Sequence, residues 1–408
     1  MIRKEILKNG MTVVTEEIDY VQSVTMGIWV KAGSRHESRE LAGISHFLEH
    51  MNFKGTARRS ARELAEVLEC HGGMLNAYTT KELTNFYCHT VKEDYDLAMD
   101  VLSDLFLHSL YDPVEIEKEK KVVLEEINLY DDSPEDYVID MMNEICWPDH
   151  PLGRPILGYE AEVNSFTDDI LKKYRREMYT PENTVLAVVG NFDQKEIIAS
   201  AEKYFDGFEG KGRSKIIDAP KACSGRVSAE KDITQEHVCI GFPSCSIFDD
   251  HYHATVLMNE YLGGGAASVL FQKIREDLAL SYSVYSFITV YEDTGMLMIY
   301  AGTSPECGKT VEDLCMEEVN KIAREGVSEK HLDKLKSQIN GGMRLAADSL
   351  GSRLNRLGRN ELFFRRYIPV EEVVDKINRV TPEEIAAVAK KTFVTSDAAV
   401  AFLGGKRE

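Results

Sequence analysis

The chain has 408 residues, too long for one ordinary hydrophobic core, so two domains of about 200 residues are expected. A hydrophobic share of 43% with 28% charged residues is that of a globular protein. Lys+Arg 48 against Asp+Glu 68 gives a net charge of −20, which argues against nucleic-acid binding; an acidic body attracts basic or unfolded polypeptides, although many proteins are acidic for solubility alone. The first residues lack the apolar core of a signal peptide, and no run of 18 apolar residues suggests a membrane span. Eight cysteines without a C-x-x-C pair suit reduced thiols, so a cytoplasmic location is expected.

In chain order, residues 5–16 alternate around Asn9-Gly10 and predict two short strands joined by a turn. Residues 21–32 are β-branched and predict a third strand, and a helix follows from about Gly43. Ser60-Ala-Arg-Glu63 resembles a capping box opening a helix over 61–70, and Gly72-Gly73 ends it. Two strands over 74–90 and an amphipathic helix over 93–110 come next. Asp112-Pro113 starts a long charged helix to about Leu129. Residues 131–165, with Pro134, Pro151 and Pro155 among them, read as loop and short helix. A helix over 167–178, a strand over 183–191 and a helix over 194–205 close this half.

Composition shifts to Gly, Lys, Ser and Pro near 209–226, the best linker in the chain. The predicted domains are therefore 1–210 and 229–408, joined by 211–228. The second half repeats the first at an offset near 213 residues: a strand at 237–242, helices at 251–262 and 266–277, strands at 281–289 and 295–302, and a helix at 308–324. Strand pairs joined by short turns predict an α+β fold, with a mainly antiparallel sheet covered by helices in each half.

Within the first half, His46-Phe-Leu-Glu-His50 carries the chemistry. On a helix its two histidines lie about 40° apart and one turn along, so both imidazoles reach one metal ion. Glu49 flanks that face and is placed to take a proton from a metal-activated water. The same triplet also suits a solvated helix face, and the motif alone leaves both readings open. His71, beside a Gly-Gly turn, and His89, alone in a strand, are poor third ligands. The long helix is a better source: Glu119, Val123 and Glu126 share one face, and Glu126 sits among Val122, Val123, Leu124 and Ile127. A buried carboxylate there needs a partner, although a solvated charged face is the commoner fate of such a helix.

With Lys8-Asn-Gly10, His46-x-x-Glu49-His50, Phe53-Lys-Gly-Thr56, Asn76-Ala-Tyr-Thr79 and Val123-Leu-Glu-Glu-Ile127, the chain resembles the pitrilysin-type (inverzincin) zinc peptidases. The nearest branch is the β-subunit of the mitochondrial processing peptidase and its bacterial relatives. The resemblance implies one Zn2+ held by His46, His50 and Glu126, with Glu49 as general base and Glu119 orienting the site. It implies an edge strand, Leu75-Asn76-Ala77-Tyr78-Thr79, to which an extended peptide adds. In the second half, Arg275 and Tyr282 match the substrate-binding segment, whereas Val269 and Asp277-Leu278-Ala279 depart from it. Two homologous domains forming a clam-shell chamber, a homodimer and unfolded peptide substrates follow as expectations. The alternative within the same fold is a non-catalytic peptide-holding or structural core subunit.

Overall fold

The protein's structure, a computed structural model, describes residues 1–212 and 217–405. Positions 213–216 of the predicted linker and 406–408 of the predicted second domain lie outside the described residues. The chain opens with β1 (Ile2–Ile6), β2 (Thr12–Glu17) and β3 (Ser23–Val30), then α1 (Ile44–Asn52) and α2 (Ala61–Glu69). The hairpin β4 (Met74–Thr79) and β5 (Thr84–Val91) precedes α3 (Tyr95–His108), α4 (Pro113–Asp131) and α5 (Pro134–Cys146). Short α6 (Glu160–Ser165), α7 (Asp168–Met178), β6 (Thr184–Gly190) and α8 (Gln194–Tyr204) follow. The remainder is β7 (Gly225–Lys231), β8 (Glu236–Ser244), α9 (Tyr252–Gly263), β9 (Ser281–Val290), β10 (Gly295–Thr303), α10 (Gly308–Glu325), α11 (Glu329–Ala346), α12 (Leu350–Phe364), α13 (Val370–Arg379), α14 (Pro382–Thr392) and β11 (Ala399–Gly405).

Local chemistry explains many of these boundaries. The predicted capping box forms at α2, where Ser60 and Glu63 each bond the other's backbone N–H. Gly10 takes a positive φ of 90° in the turn between β1 and β2. Residues 266–277, predicted as an ordinary helix, include a π-helical turn over Phe271–Asp277.

The strands form two sheets, ordered β1-β2-β6-β3-β5-β4 and β7-β11-β8-β10-β9. Apart from the extra β1, the two orders correspond strand for strand. Each has one parallel pair, β2 with β6 and β7 with β11, followed by antiparallel pairs. The repeat seen in the sequence is thus a repeat of topology, and the α+β reading with two homologous domains stands.

The boundaries of the compact units differ from the contiguous division predicted. One unit comprises residues 1–127, 155–217 and 344–368; the other comprises 128–154, 218–343 and 369–408. Helix α5, from the first half of the sequence, packs on β11, β8 and β7, while α12, from the second half, packs on β6, β3 and β2. The two helices are 216 residues apart, so the exchange is as symmetric as the repeat. The stretch 131–165 therefore holds a helix of 13 residues where loop and a short helix were expected: Pro134 is its first residue, not a breaker, and Val138, Met142 and Cys146 form its buried face.

In the first unit the main core lies between the sheet and α1, α2, α3, α7 and α8, built from residues such as Met26, Phe47, Phe86, Phe106 and Leu186. The other face of that sheet takes α12. Gly358 is required there, because a Cβ would stand 2.5 Å from the Trp29 ring. Lys4–Glu361 at 2.6 Å and the Arg353–Glu16 pair fix α12 to β1 and β2. In the second unit, one core lies beneath α9, α10 and α14, and another between the sheet and α5.

Candidate metal centre

Helix α1 begins at Gly43, whose φ of 91° and 2.4 Å Cβ approach to the Leu157 carbonyl leave no room for a side chain. The buried Glu37 carboxylate accepts from the backbone N–H groups of Gly43 and Ser45, both at 2.8 Å, satisfying donors that the first turn leaves free. Ile44, Phe47, Leu48 and Met51 face the core. That orientation sends His46, Glu49 and His50 to the opposite side. Helix α4 brings its carboxylates to the same place, anchored by buried Ile116 and Val123, with Glu119 and Glu126 two turns apart. Glu125 is exposed, as its position on the helix predicts.

The geometry brings the three predicted ligands together. Glu126 Oε2 lies 3.6 Å from His46 Nε2 and 3.6 Å from His50 Nε2, and the two rings stand 4.5 Å apart. One donor atom from each residue falls within 4.8 Å of the others, the only such group of three among the described residues. His50 Nδ1 meets Glu119 Oε1 at 2.8 Å, and the other Glu119 oxygen pairs with Lys54. An acceptor at Nδ1 assigns the ring proton there, leaving the Nε2 lone pair facing Glu126. Glu119 therefore acts through His50, as a positioning residue. Buried His46 Nδ1 has no hydrogen-bond partner.

Burial governs the electrostatics. It lowers His46 to a pKa of about 3, helped by the neighbouring charge of His50, so His46 is a neutral imidazole with a free lone pair at neutral pH. Burial acts in the same direction on His50, but the Glu119 hydrogen bond and the charges of Glu49, Glu119 and Glu126 prevail and raise it. Glu49 is raised, chiefly by burial. Glu119 is lowered because the hydrogen bonds from His50 and Lys54 outweigh its burial. Two imidazoles and one carboxylate, with a carboxylate fixing one ring from behind, are the donor set and outer support that zinc takes. The residues fit that ion.

Glu49 is 8% exposed, and Thr79 Oγ1 donates to its Oε2 at 2.5 Å. Thr79 ends β4, the last strand of its sheet. Strand β4 pairs only with β5 among the described strands, so its outer edge is open. Leu75 and Ala77 pack against the core, whereas Tyr78, on the other face, donates from its hydroxyl to Asn355 Oδ1 at 2.8 Å. Asn76 bonds the Ala77 backbone N–H at 2.8 Å. Arg275 and Tyr282 belong to the second unit and are brought to each other: the guanidinium lies 4.4 Å from the Tyr282 ring and donates to its backbone oxygen at 3.0 Å. Tyr282 is 75% exposed.

His71 and His89 behave as expected of non-ligands. His71 pairs with Asp94 at 2.9 Å, and His89 is lowered by burial on β5. Sequence reasoning passed over Lys54, which holds Glu119, and the specific bond from Thr79 to Glu49. The signal for Lys54 was its place four residues after His50.

Comparisons with known proteins give the family. Residues 12–160 match the family described as Insulinase (Peptidase family M16), and residues 165–339 match the Peptidase M16 inactive domain. YmxG of Bacillus subtilis, named an uncharacterized zinc protease, is 39% identical over 403 residues, spanning 99% of this chain and 98% of that protein. Rv2782c of Mycobacterium tuberculosis bears the same description and is 37% identical over 395 residues, 95% of this chain and 90% of its own. A solved protease from Helicobacter pylori superposes with a TM-score of 0.94 at 20% identity, covering 99% of each chain. The peptidase M16 inactive domain from Pseudomonas fluorescens gives 0.93 at 18%, covering 100% of this chain and 98% of that one. At these identities the structural likeness speaks for the fold. The identities to YmxG and Rv2782c extend over nearly the whole chain, and this protein belongs to the M16, or pitrilysin-type, family of zinc peptidases.

Proposed function

We propose that the chain is a zinc-dependent endopeptidase that hydrolyses unfolded peptides, with His46, His50 and Glu126 holding one zinc ion. The observation that carries this reading is the convergence of those three side chains beside Glu49, which is itself tethered to an open edge strand through Thr79. Zinc, when bound, supplies Lewis acidity to a water molecule and to the scissile carbonyl. Glu49 takes the proton from the attacking water and returns it to the leaving amine; its burial raises its basicity for that task. An extended peptide adds to the outer edge of β4 through backbone hydrogen bonds, which select unfolded chains more than particular side chains. Arg275 and Tyr282 serve substrate binding, holding the peptide backbone or the developing oxyanion.

The description "inactive domain" attaches to a family matching residues 165–339, and His46, Glu49, His50 and Glu126 all lie outside that range. This favours the enzyme over a peptide-holding subunit of the same fold. The acidic charge steers basic peptides from a distance, a homodimer is the expected assembly, and the eight free thiols suit the reducing cytoplasm. No described helix is long and apolar enough to cross a membrane.

Purified protein is expected to carry one zinc per chain and to cut an unstructured peptide. Glu49→Gln should keep the metal and lose at least about 100-fold in kcat, the usual scale for a general base. Absence of stoichiometric zinc together with absence of cleavage refutes the proposal.

A further inference from the structure

The chain carries twenty more acidic than basic residues, yet α12 presents a basic surface. Arg359 lies on the exposed side of that helix and Arg356, three residues earlier, is half-buried; neither has a carboxylate partner among the described residues. Arg359 rests over the Phe363 ring at 5.6 Å and Arg356 over the Tyr367 ring at 5.8 Å. The Arg356 Nε atom is buried without any hydrogen-bond partner. Elsewhere in the same unit Arg58 pairs with Asp100, Arg59 with Asp100 and Asp104, and Arg353 with Glu16. Arg359 has no such partner among the described residues.

Its location gives it a use. Asn355, between these arginines and the start of α12, accepts the hydroxyl of Tyr78 at 2.8 Å. Tyr78 is on the open strand β4, one residue before Thr79, and it also feels the positive charge of Arg359. Successive side chains of a strand point to opposite faces, and a peptide paired with β4 alternates in the same way. One set of its side chains lies on the Thr79–Glu49 face. The other set lies on the Tyr78 face, where Tyr87 packs edge-on to Tyr78 at 6.3 Å and α12 presents Asn355 and, one turn further on, Arg359.

We propose that Arg359 forms a substrate-selecting subsite for an acidic side chain, Glu or Asp, carried on the α12-facing side of a peptide bound to β4. This rests on the peptidase reading above. A long acidic side chain next to the residue opposite Thr79 leans over Tyr78 toward the guanidinium group, which offers forked donors suited to a carboxylate. The subsite acts within a few ångströms, whereas the overall charge of −20 acts over the Debye length, about 8 Å at physiological ionic strength, and beyond it only weakly. A peptide that is basic overall with one acidic residue near the cut satisfies both.

The test uses one cleavable peptide and its variants carrying Glu, Gln or Lys at each position around the cut. Binding to the zinc-loaded Glu49→Gln protein is read by fluorescence anisotropy, and cleavage by the native protein is read as kcat/KM. A preference of about 3- to 10-fold for Glu over Gln is expected at one position, shrinking in high salt, as for a partly exposed ion pair. Arg359→Ala should bring the Glu:Gln ratio to near 1, and Arg359→Glu should turn the preference toward Lys. Unchanged zinc content and melting temperature show that these variants fold. Absence of any Glu preference in binding, or its survival in Arg359→Ala, overturns the proposal. Binding preference without cleavage by the native protein supports the subsite while refuting the peptidase reading.

Discussion

Removing Glu119 tests whether the metal centre is held from behind. Glu119 is 3% exposed, with one oxygen on His50 Nδ1 at 2.8 Å and the other on Lys54. In Glu119→Ala, Lys54 loses its partner but is partly exposed and hydrates at little cost. His50 loses the group that fixes its ring and tautomer. Loss of such an outer partner weakens metal binding by about 10- to 100-fold, which at about 1.4 kcal/mol per decade is about 1.4 to 2.8 kcal/mol. The independent scale for a hydrogen bond to a charged group, about 1.5 to 3 kcal/mol, covers the same range. Glu119→Gln keeps an acceptor for His50 but turns an amide N–H2 toward Lys54, so a loss near the lower end is expected. The assay is competition for zinc with a chromogenic chelator, followed by kcat at saturating zinc. If Glu119→Ala binds zinc as tightly as the native protein, Glu119 does not act through His50 and the assignment fails.

Other expectations concern the ligands and the fold. Glu126→Ala and His50→Ala should each abolish stoichiometric zinc while leaving the circular dichroism spectrum native, because both side chains sit at the edge of the core; a fully loaded variant would remove that residue from the ligand set. Gly358→Ala sets a Cβ 2.5 Å from the buried Trp29 ring, costing about 1 to 3 kcal/mol by overpacking. It recovers about 1 kcal/mol of helix propensity, so a net loss of up to about 2 kcal/mol is expected in urea unfolding. A clear gain in stability would contradict the packing of α12 on β3. Asp100 is held below its usual value of 3.8: burial opposes this, but the hydrogen bonds from Arg58 and Arg59 prevail. A depressed folded pKa gives stability that is present above about pH 4 and lost as the pH falls through the folded value. Native protein should therefore exceed Asp100→Asn in urea midpoint at pH 6, with the gap closing below pH 4. A gap independent of pH would show that the Asp100 charge contributes nothing.

Much of the centre was legible because its logic is local. Two histidines four residues apart on a helix, a glutamate between them, and a second helix with acids at i and i+7 all follow from a 3.6-residue period. Glu126 was singled out because apolar neighbours on its own helix implied burial, but its side chain is 32% exposed and Val122 beside it is exposed, so its face of the helix and not burial brings it to the histidines. The strand order of each sheet was foreshadowed by the repeat near 213 residues, since a duplicated sequence folds into a duplicated topology. What periodicity cannot state is which partner an apolar face will meet. Helix α5 has a clear buried stripe, and nothing in that stripe names the sheet of β11 and β8 over the one preceding it in sequence.

The same limit applies to single contacts. Thr79 and Glu49 are 30 residues apart, Tyr78 and Asn355 are 277 apart, and His50 and Glu119 are 69 apart. Their meeting depends on strand register and helix placement, which are set by the packing of whole elements and not by the residues themselves. By itself the sequence determined the elements, the metal-binding residue types and the repeat. Only the tertiary structure decided that α12 covers the sheet of β2, β3 and β6, that Thr79 holds Glu49 at the end of an open strand, and that Arg359, one turn from the Tyr78–Asn355 contact, is left without a carboxylate partner among the described residues.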